Sequence, residues 1–138
     1  MKGQQKIFYI FLCPFSKYTG VVAVKIGISA HFDIRLGVYQ NSYSSLNHVA
    51  GFNIAYIGDT IAINNLEKTI KQHFDWEIEK DGRGHSEWIS GVSLEDIVAK
   101  VDEIINGYRY KVEKVDQQFL PLTIHNADEF KNHYKLDN

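Results

Sequence analysis

The order of apolar and polar positions divides the chain into short β-prone runs and amphipathic helices. Residues 6–13 (KIFYIFLC) are apolar, aromatic and β-branched, and residues 21–29 (VVAVKIGIS) share that character after a turn marked by Pro14, Ser16, Thr19 and Gly20. The two runs predict an antiparallel hairpin with a loop of about seven residues. Phe32, Leu36 and Tyr39 stand at i, i+4 and i+7 and predict a short helix over 31–41, although Gly37 weakens it by about 1 kcal/mol relative to Ala. Gly51 opens a third β run, Phe52–Ile57, which Gly58-Asp59 closes. Ile63, Leu66, Ile70 and Phe74 form one stripe and predict a helix over 61–75. Residues 80–84 (KDGRG) read as a loop and 85–90 (HSEWIS) as a short strand. Ser93 is the expected N-cap of a further helix, with Asp96 three residues on and Gly107 as its stop. Residues 108–115 alternate as a strand does, and 127–135 fit a short polar helix. The order β-β-α-β-α-β-α predicts an α/β (α+β) fold. The expected core is a small mixed or antiparallel sheet of about three to four strands, begun by a hairpin and flanked by helices, with a C-terminal helical extension. Residues 1–91 are expected to form the core domain, and 92–138 an acidic helix and extension packed on it.

Composition narrows the class. A chain of 138 residues has room for one domain of ordinary size. With 44% hydrophobic and 23% charged residues it is not a wholly disordered chain. No uncharged apolar run approaches the roughly 18 residues of a membrane span. The apolar run after Lys6 lacks a small-residue cleavage site before Tyr18 and reads as a strand, so no export is expected and a cytoplasmic setting is. Cys13 stands alone, which excludes a disulfide framework and a cysteine-based zinc cluster. The net charge of −2 hides an asymmetry: residues 1–74 carry seven Lys/Arg against three acids, and residues 75–138 eight against fourteen. A mildly basic first half is compatible with a polyanion partner and the acidic second half is not, although ordinary sampling produces such differences too.

Strand alternation then sorts the hairpin. Phe8, Ile10 and Leu12 share one face of the first strand, and Ile7, Tyr9 and Phe11 the other. In the second strand Val22, Val24, Ile26 and Ile28 are apolar, while Lys25, Gly27 and Ser29 alternate opposite them. A glycine inside a strand often marks close approach of backbone or ligand. An ordinary half-solvated strand with a snorkelling lysine would have the same pattern. The histidines at 31, 48, 73, 85, 125 and 133 form no HExxH or H-x₃-H pair, and there is no Gly-rich phosphate loop, GxSxG or CxxC.

These features together resemble the GIY-YIG nuclease superfamily, above all its short phage-type branch, in which the second motif commonly reads KIG. The elements of the resemblance are the Tyr9 strand, Lys25-Ile26-Gly27-Ile28-Ser29, Arg35 eight residues past the glycine, and Glu67 on a later helix, over about residues 6–89. The resemblance matches Tyr9 to the tyrosine of the first motif, although Ile7-Phe8 stands where Gly-Ile is usual. It matches Lys25 and Gly27 to the second motif, Ser29 to the small hydroxyl residue after it, Arg35 to the helical arginine and Tyr39 to the His/Tyr one turn later. Glu67 matches the glutamate that holds one divalent metal, Mg²⁺ or Mn²⁺, and His85-Ser86-Glu87-Trp88-Ile89 resembles the Glu-Trp close of that branch. The implied activity is metal-dependent cleavage of DNA, with phage or mobile-element biology by association. The implied catalytic set is Tyr9, Lys25, Arg35 and Glu67, with Gly27, Ser29 and Tyr39 against the substrate. A homodimer or a protein partner through the acidic C-terminal part, and no membrane, complete the expected partners.

A literal YIG also occurs at Tyr56-Ile57-Gly58. It is rejected as the second motif, because no arginine follows until Arg83 and it lies 47 residues after Tyr9. A strand terminus explains it more simply.

The chemistry follows from the residue types as well. Phosphodiester hydrolysis needs a base for water, neutralisation of the transition-state charge and help for the leaving oxygen. A tyrosine, normally near pKa 10, serves as the base only if a neighbouring cation such as Lys25 lowers it. Arg35 offers a planar fork for the phosphate, and Glu67 a hard oxygen for a Mg²⁺ that keeps several waters. Each residue has a plainer reading beside this one. Tyr9 would be a strand aromatic, Arg35 a partner of Asp33 or a helix cap, and Glu67 a surface pair with Lys71 at i,i+4. A nuclease-like domain that binds nucleic acid or protein without cutting is the alternative function.

Overall fold

The computed structural model describes residues 5–12, 23–31, 34, 52–75, 78–79, 88–109 and 111–136, with the side chains at 11, 12, 23, 78, 79 and 88 left aside. Among them six strands form one antiparallel sheet: β1 (Gln5–Leu12), β2 (Ala23–Ser29), β3 (Ile54–Asp59), β4 (Ile78–Glu79), β5 (Trp88–Ser90) and β6 (Val112–Lys114), in the order β4-β5-β2-β1-β3-β6. Three α-helices accompany it: α1 (Thr60–His73), α2 (Leu94–Asn106) and α3 (Ala127–Tyr134). The α+β class and the opening antiparallel strand pair agree with the sequence reading. The sheet is wider than the expected three to four strands: β6 falls inside the alternating run 108–115, and the two-residue β4 is too short to show alternation. The expected helix over 31–41, with Arg35 and Tyr39, lies outside the described residues except for isolated positions.

The central strand β1 is covered on both faces. Ile7, Phe8, Tyr9 and Ile10 are all buried, so this strand reads as a continuous apolar run rather than an alternating one. Phe8 and Ile10 pack with Val24, Ile26 and Tyr56 against Ala62, Ile63, Leu66 and Ile70 of α1 and Ile97 and Val101 of α2. On the opposite face Ile7 and Tyr9 pack with Phe52, Ala55 and Ile57 against Val115, Phe119, Leu122, Ala127 and Phe130 of the C-terminal segment. The result is three layers: two helices, the sheet, and a C-terminal cover. Each fully buried large side chain contributes roughly 1.5–3 kcal/mol through its removal from water.

The helix ends follow their sequence signals. The Ser93 hydroxyl accepts from the Asp96 backbone N–H at 3.1 Å, Glu95 and Asp96 occupy the first turn, and Gly107 closes α2. In α1 the last turn carries Lys71 and His73, which suits the negative end of the helix dipole. The C-terminal cover is tied together by Asn126. Its side chain accepts from the Thr123 N–H at 2.8 Å and donates to the carbonyls of Phe119 and Pro121 at 3.0 Å each. Phe52, expected inside the third strand, instead pairs with Leu122 through reciprocal backbone hydrogen bonds of 3.0 and 2.9 Å.

Candidate functional site

The register of β1 with β2 decides which side chains share a face. Tyr9 lies directly opposite Gly27, Phe11 opposite Lys25 and Ile7 opposite Ser29. Opposed residues of an antiparallel pair project to the same side, so Tyr9, Lys25, Gly27 and Ser29 occupy one face. Lys25 is the diagonal neighbour of Tyr9 along β2. On the other flank Tyr9 is opposite Ala55 of β3.

The tyrosine ring leans across its neighbour strand. A Cβ added at Gly27 would collide with the Tyr9 hydroxyl and stand 2.5 Å from its Cζ. The phenol oxygen therefore occupies the place where a side chain at 27 would project, between Lys25 and Ser29 along β2. This is the close approach that a glycine inside a strand signals. The ring is held from behind by Phe52, stacked parallel to it with centroids 4.0 Å apart and planes 6° from parallel. Tyr9 is 2% exposed. Lys25 and Ser29 are half-buried. The Ser29 hydroxyl accepts from the His31 backbone N–H at 3.0 Å, which orders the exit of β2.

The Glu-Trp segment reaches this neighbourhood through β5, where Trp88 pairs with Lys25 and Ile89 with Val24. His85, Ser86 and Glu87 lie outside the described residues.

Glu67 is on α1, the helix packed on the Phe8 side of the sheet. It flanks the buried stripe of Ile63, Leu66 and Ile70, and its side chain is 19% exposed. Lys71, one turn on, brings its ammonium to 3.6 Å from the carboxylate. The surface pair of the plainer reading is therefore present. Tyr9 and the helix bearing Glu67 lie on opposite faces of the sheet. Among the described residues no three His, Cys, Asp or Glu side chains gather as a metal cage. A single half-buried carboxylate still suits Mg²⁺, which takes one or two carboxylates and keeps its remaining positions for water and substrate.

Tyr56, of the rejected YIG, is fully buried on the helix face, with its hydroxyl donating to Asp102 of α2 at 3.2 Å. Burial first, then the charge of Asp102 and the hydrogen bond to it, push this phenol far above its ordinary range. That environment opposes a base role. Gly58, the last residue of that string, lies under β6, where a Cβ would stand 2.9 Å from the Lys111 carbonyl oxygen and from Val112. The glycine is there for strand packing.

Sequence reasoning missed Phe52, which reads as one more apolar residue of a strand. No described helix is long and apolar enough to cross a membrane. The chain matches the model of the T5orf172 domain over residues 6–109, from β1 through α2. No curated protein and no solved structure gives a significant match. The match takes in both strands of the Tyr9–Gly27 pair and the helix of Glu67, and over that length the chain belongs to the T5orf172 domain family, a GIY-YIG-like family that points to a nuclease.

Proposed function

We propose that the protein is a metal-dependent endonuclease that hydrolyses phosphodiester bonds in DNA. The observation that carries this reading is the Tyr9 phenol laid over Gly27 on the face it shares with Lys25 and Ser29, in a chain of a GIY-YIG-like family. In this mechanism Tyr9 takes the proton of the attacking water. Lys25, its diagonal neighbour, is the cation on that face that would favour the phenolate against the burial that opposes it. Arg35 binds the scissile phosphate through a bidentate fork and stabilises the charge that develops on it. Ser29 and Tyr39 contact the substrate, and Gly27 leaves the room over β2 that the Tyr9 phenol fills. Glu67 would hold Mg²⁺ or Mn²⁺ in place of its pair with Lys71. When bound, the metal would supply Lewis-acid stabilisation at a phosphate reached from the helix face of the sheet, opposite Tyr9. Cleavage of supercoiled plasmid, with Tyr9→Phe, Arg35→Ala and Glu67→Ala compared to wild type, tests the reading.

A second reading has its own support. Tyr9 is stacked and buried, and Glu67 pairs with Lys71 on the helix of the other face. Both fit a domain that keeps the nuclease frame and binds nucleic acid without cutting it. Folded protein that shifts DNA in a gel but leaves plasmid intact in Mg²⁺ and in Mn²⁺ would select this reading.

A further inference from the structure

We infer that the C-terminal segment 115–136, all of which follows the stretch matched to the family, is a positioning element for Tyr9 and acts through Phe52. The inference rests on the nuclease reading for its effect on activity, although the positioning itself has a separate readout. Three links make the connection. Asn126 holds the chain at Phe119, Pro121 and Thr123 by side-chain hydrogen bonds. That fixes Leu122, which grips the backbone of Phe52 from both sides of the peptide. Phe52, fully buried, then lies flat on Tyr9. The links join one hydrophobic cluster, which also contains Phe119 and Phe130.

The need for such a device follows from geometry. Across the strand pair Tyr9 meets the backbone at Gly27, Ala55 on the other flank is small, and the flat neighbour of its ring is Phe52. A ring free to swing would leave its hydroxyl poorly placed, and a displacement of about 1 Å at a reacting group costs on the order of 100-fold in rate. The wall supplied by Phe52 sets that angle. Phe52 and Asn126 touch neither substrate nor metal in this account, so they are positioning residues.

The test uses the full chain carrying ¹³C at the tyrosine Cζ, with the Tyr9 resonance assigned by its loss in Tyr9→Phe. Wild type is compared with Phe52→Leu, Asn126→Ala and a control, Val101→Ala, which removes buried bulk from the helix face of the sheet. The pH titration of the Tyr9 resonance and the pH profile of plasmid cleavage are read for each. Phe52→Leu and Asn126→Ala are expected to move the Tyr9 resonance and its titration midpoint, to displace the cleavage profile along the pH axis, and to slow cleavage by about tenfold or more. Val101→Ala is expected to leave the resonance and the profile in place. An unchanged Tyr9 resonance in Asn126→Ala overturns the inference, as does an equal change in Val101→Ala; the shift in Phe52→Leu, which loses the stacked ring itself, sets the scale. If wild type does not cleave at all, the nuclease reading fails, and the resonance alone still decides whether the C-terminal segment holds Tyr9.

Discussion

Replacing Gly27 by Ala is the sharpest perturbation the structure offers. The new methyl would stand 2.5 Å from Tyr9 Cζ and closer still to the hydroxyl. Carbon atoms settle at about 3.5–4.0 Å, so the ring must retreat by about 1 Å or the strands must part. A tyrosine tip yields easily when it is in solvent. This one is 2% exposed and backed by Phe52 at 4.0 Å, so its retreat disturbs the packing behind it. Overpacking of this kind costs about 1–3 kcal/mol. Alanine's advantage over glycine in a strand offsets roughly 0.5–1 kcal/mol of that. The net expectation is a loss of about 1–2 kcal/mol in urea unfolding, a few degrees in Tm, and a fall of about 100-fold in plasmid nicking. A double-mutant cycle isolates the contact: in a Tyr9→Ala background the methyl has nothing to strike, and Gly27→Ala is expected to be neutral or stabilising. Equal stability and equal nicking by Gly27→Ala and wild type would refute the placement of the phenol over β2, and with it the basis of the site.

Other expectations follow from the same geometry. Glu67→Ala should abolish cleavage and leave the protein folded, since it removes a half-buried i,i+4 partner of Lys71 and no core side chain; thermal melting beside the plasmid assay separates the two effects. Tyr56→Phe should leave cleavage within about twofold, because that phenol serves the packing of α2 on the sheet. Tyr56 also sets an alkaline limit. Its pKa is raised in the folded protein, so its contribution is complete below the unfolded value near 10 and is lost as pH rises above it. Urea unfolding at pH 8 and above 10 should show a steeper loss for wild type than for Tyr56→Phe. Ser93→Ala removes the acceptor for Asp96 and should cost about 1 kcal/mol in stability with cleavage unchanged.

Much of the site's frame was legible in the residues. The alternation of Lys25, Gly27 and Ser29 against an apolar face placed them together, and the register of β1 on β2 adds Tyr9 to that face. The glycine announced a close approach, and the phenol makes it. The two tyrosine strings were separable too. Tyr56-Ile57-Gly58 had no arginine-bearing helix after it, and in the fold Tyr56 points into the helix layer. What stayed hidden has a common cause. Phe52 and Leu122 meet although they stand 70 positions apart in the chain, and Asn126 ties backbone groups that carry no side-chain signal. Local pattern reports period and propensity, whereas such contacts depend on the tertiary route of the chain. The two-residue β4 is invisible for a simpler reason, since alternation needs more positions than it has. That α1 lies on the face away from Tyr9 is likewise a matter of topology. The stripe of Ile63, Leu66 and Ile70 specifies a buried side but not which face of the sheet receives it.

The central claim meets its most direct test in supercoiled plasmid incubated with Mg²⁺ or Mn²⁺ and wild type, Tyr9→Phe, Arg35→Ala or Glu67→Ala, each verified as folded. Nicking or linearisation by wild type, stopped by EDTA and lost in all three variants, is the expected result. Intact plasmid with folded wild type in both metals, or equal cleavage by all four proteins, would contradict the nuclease assignment and the site drawn for it.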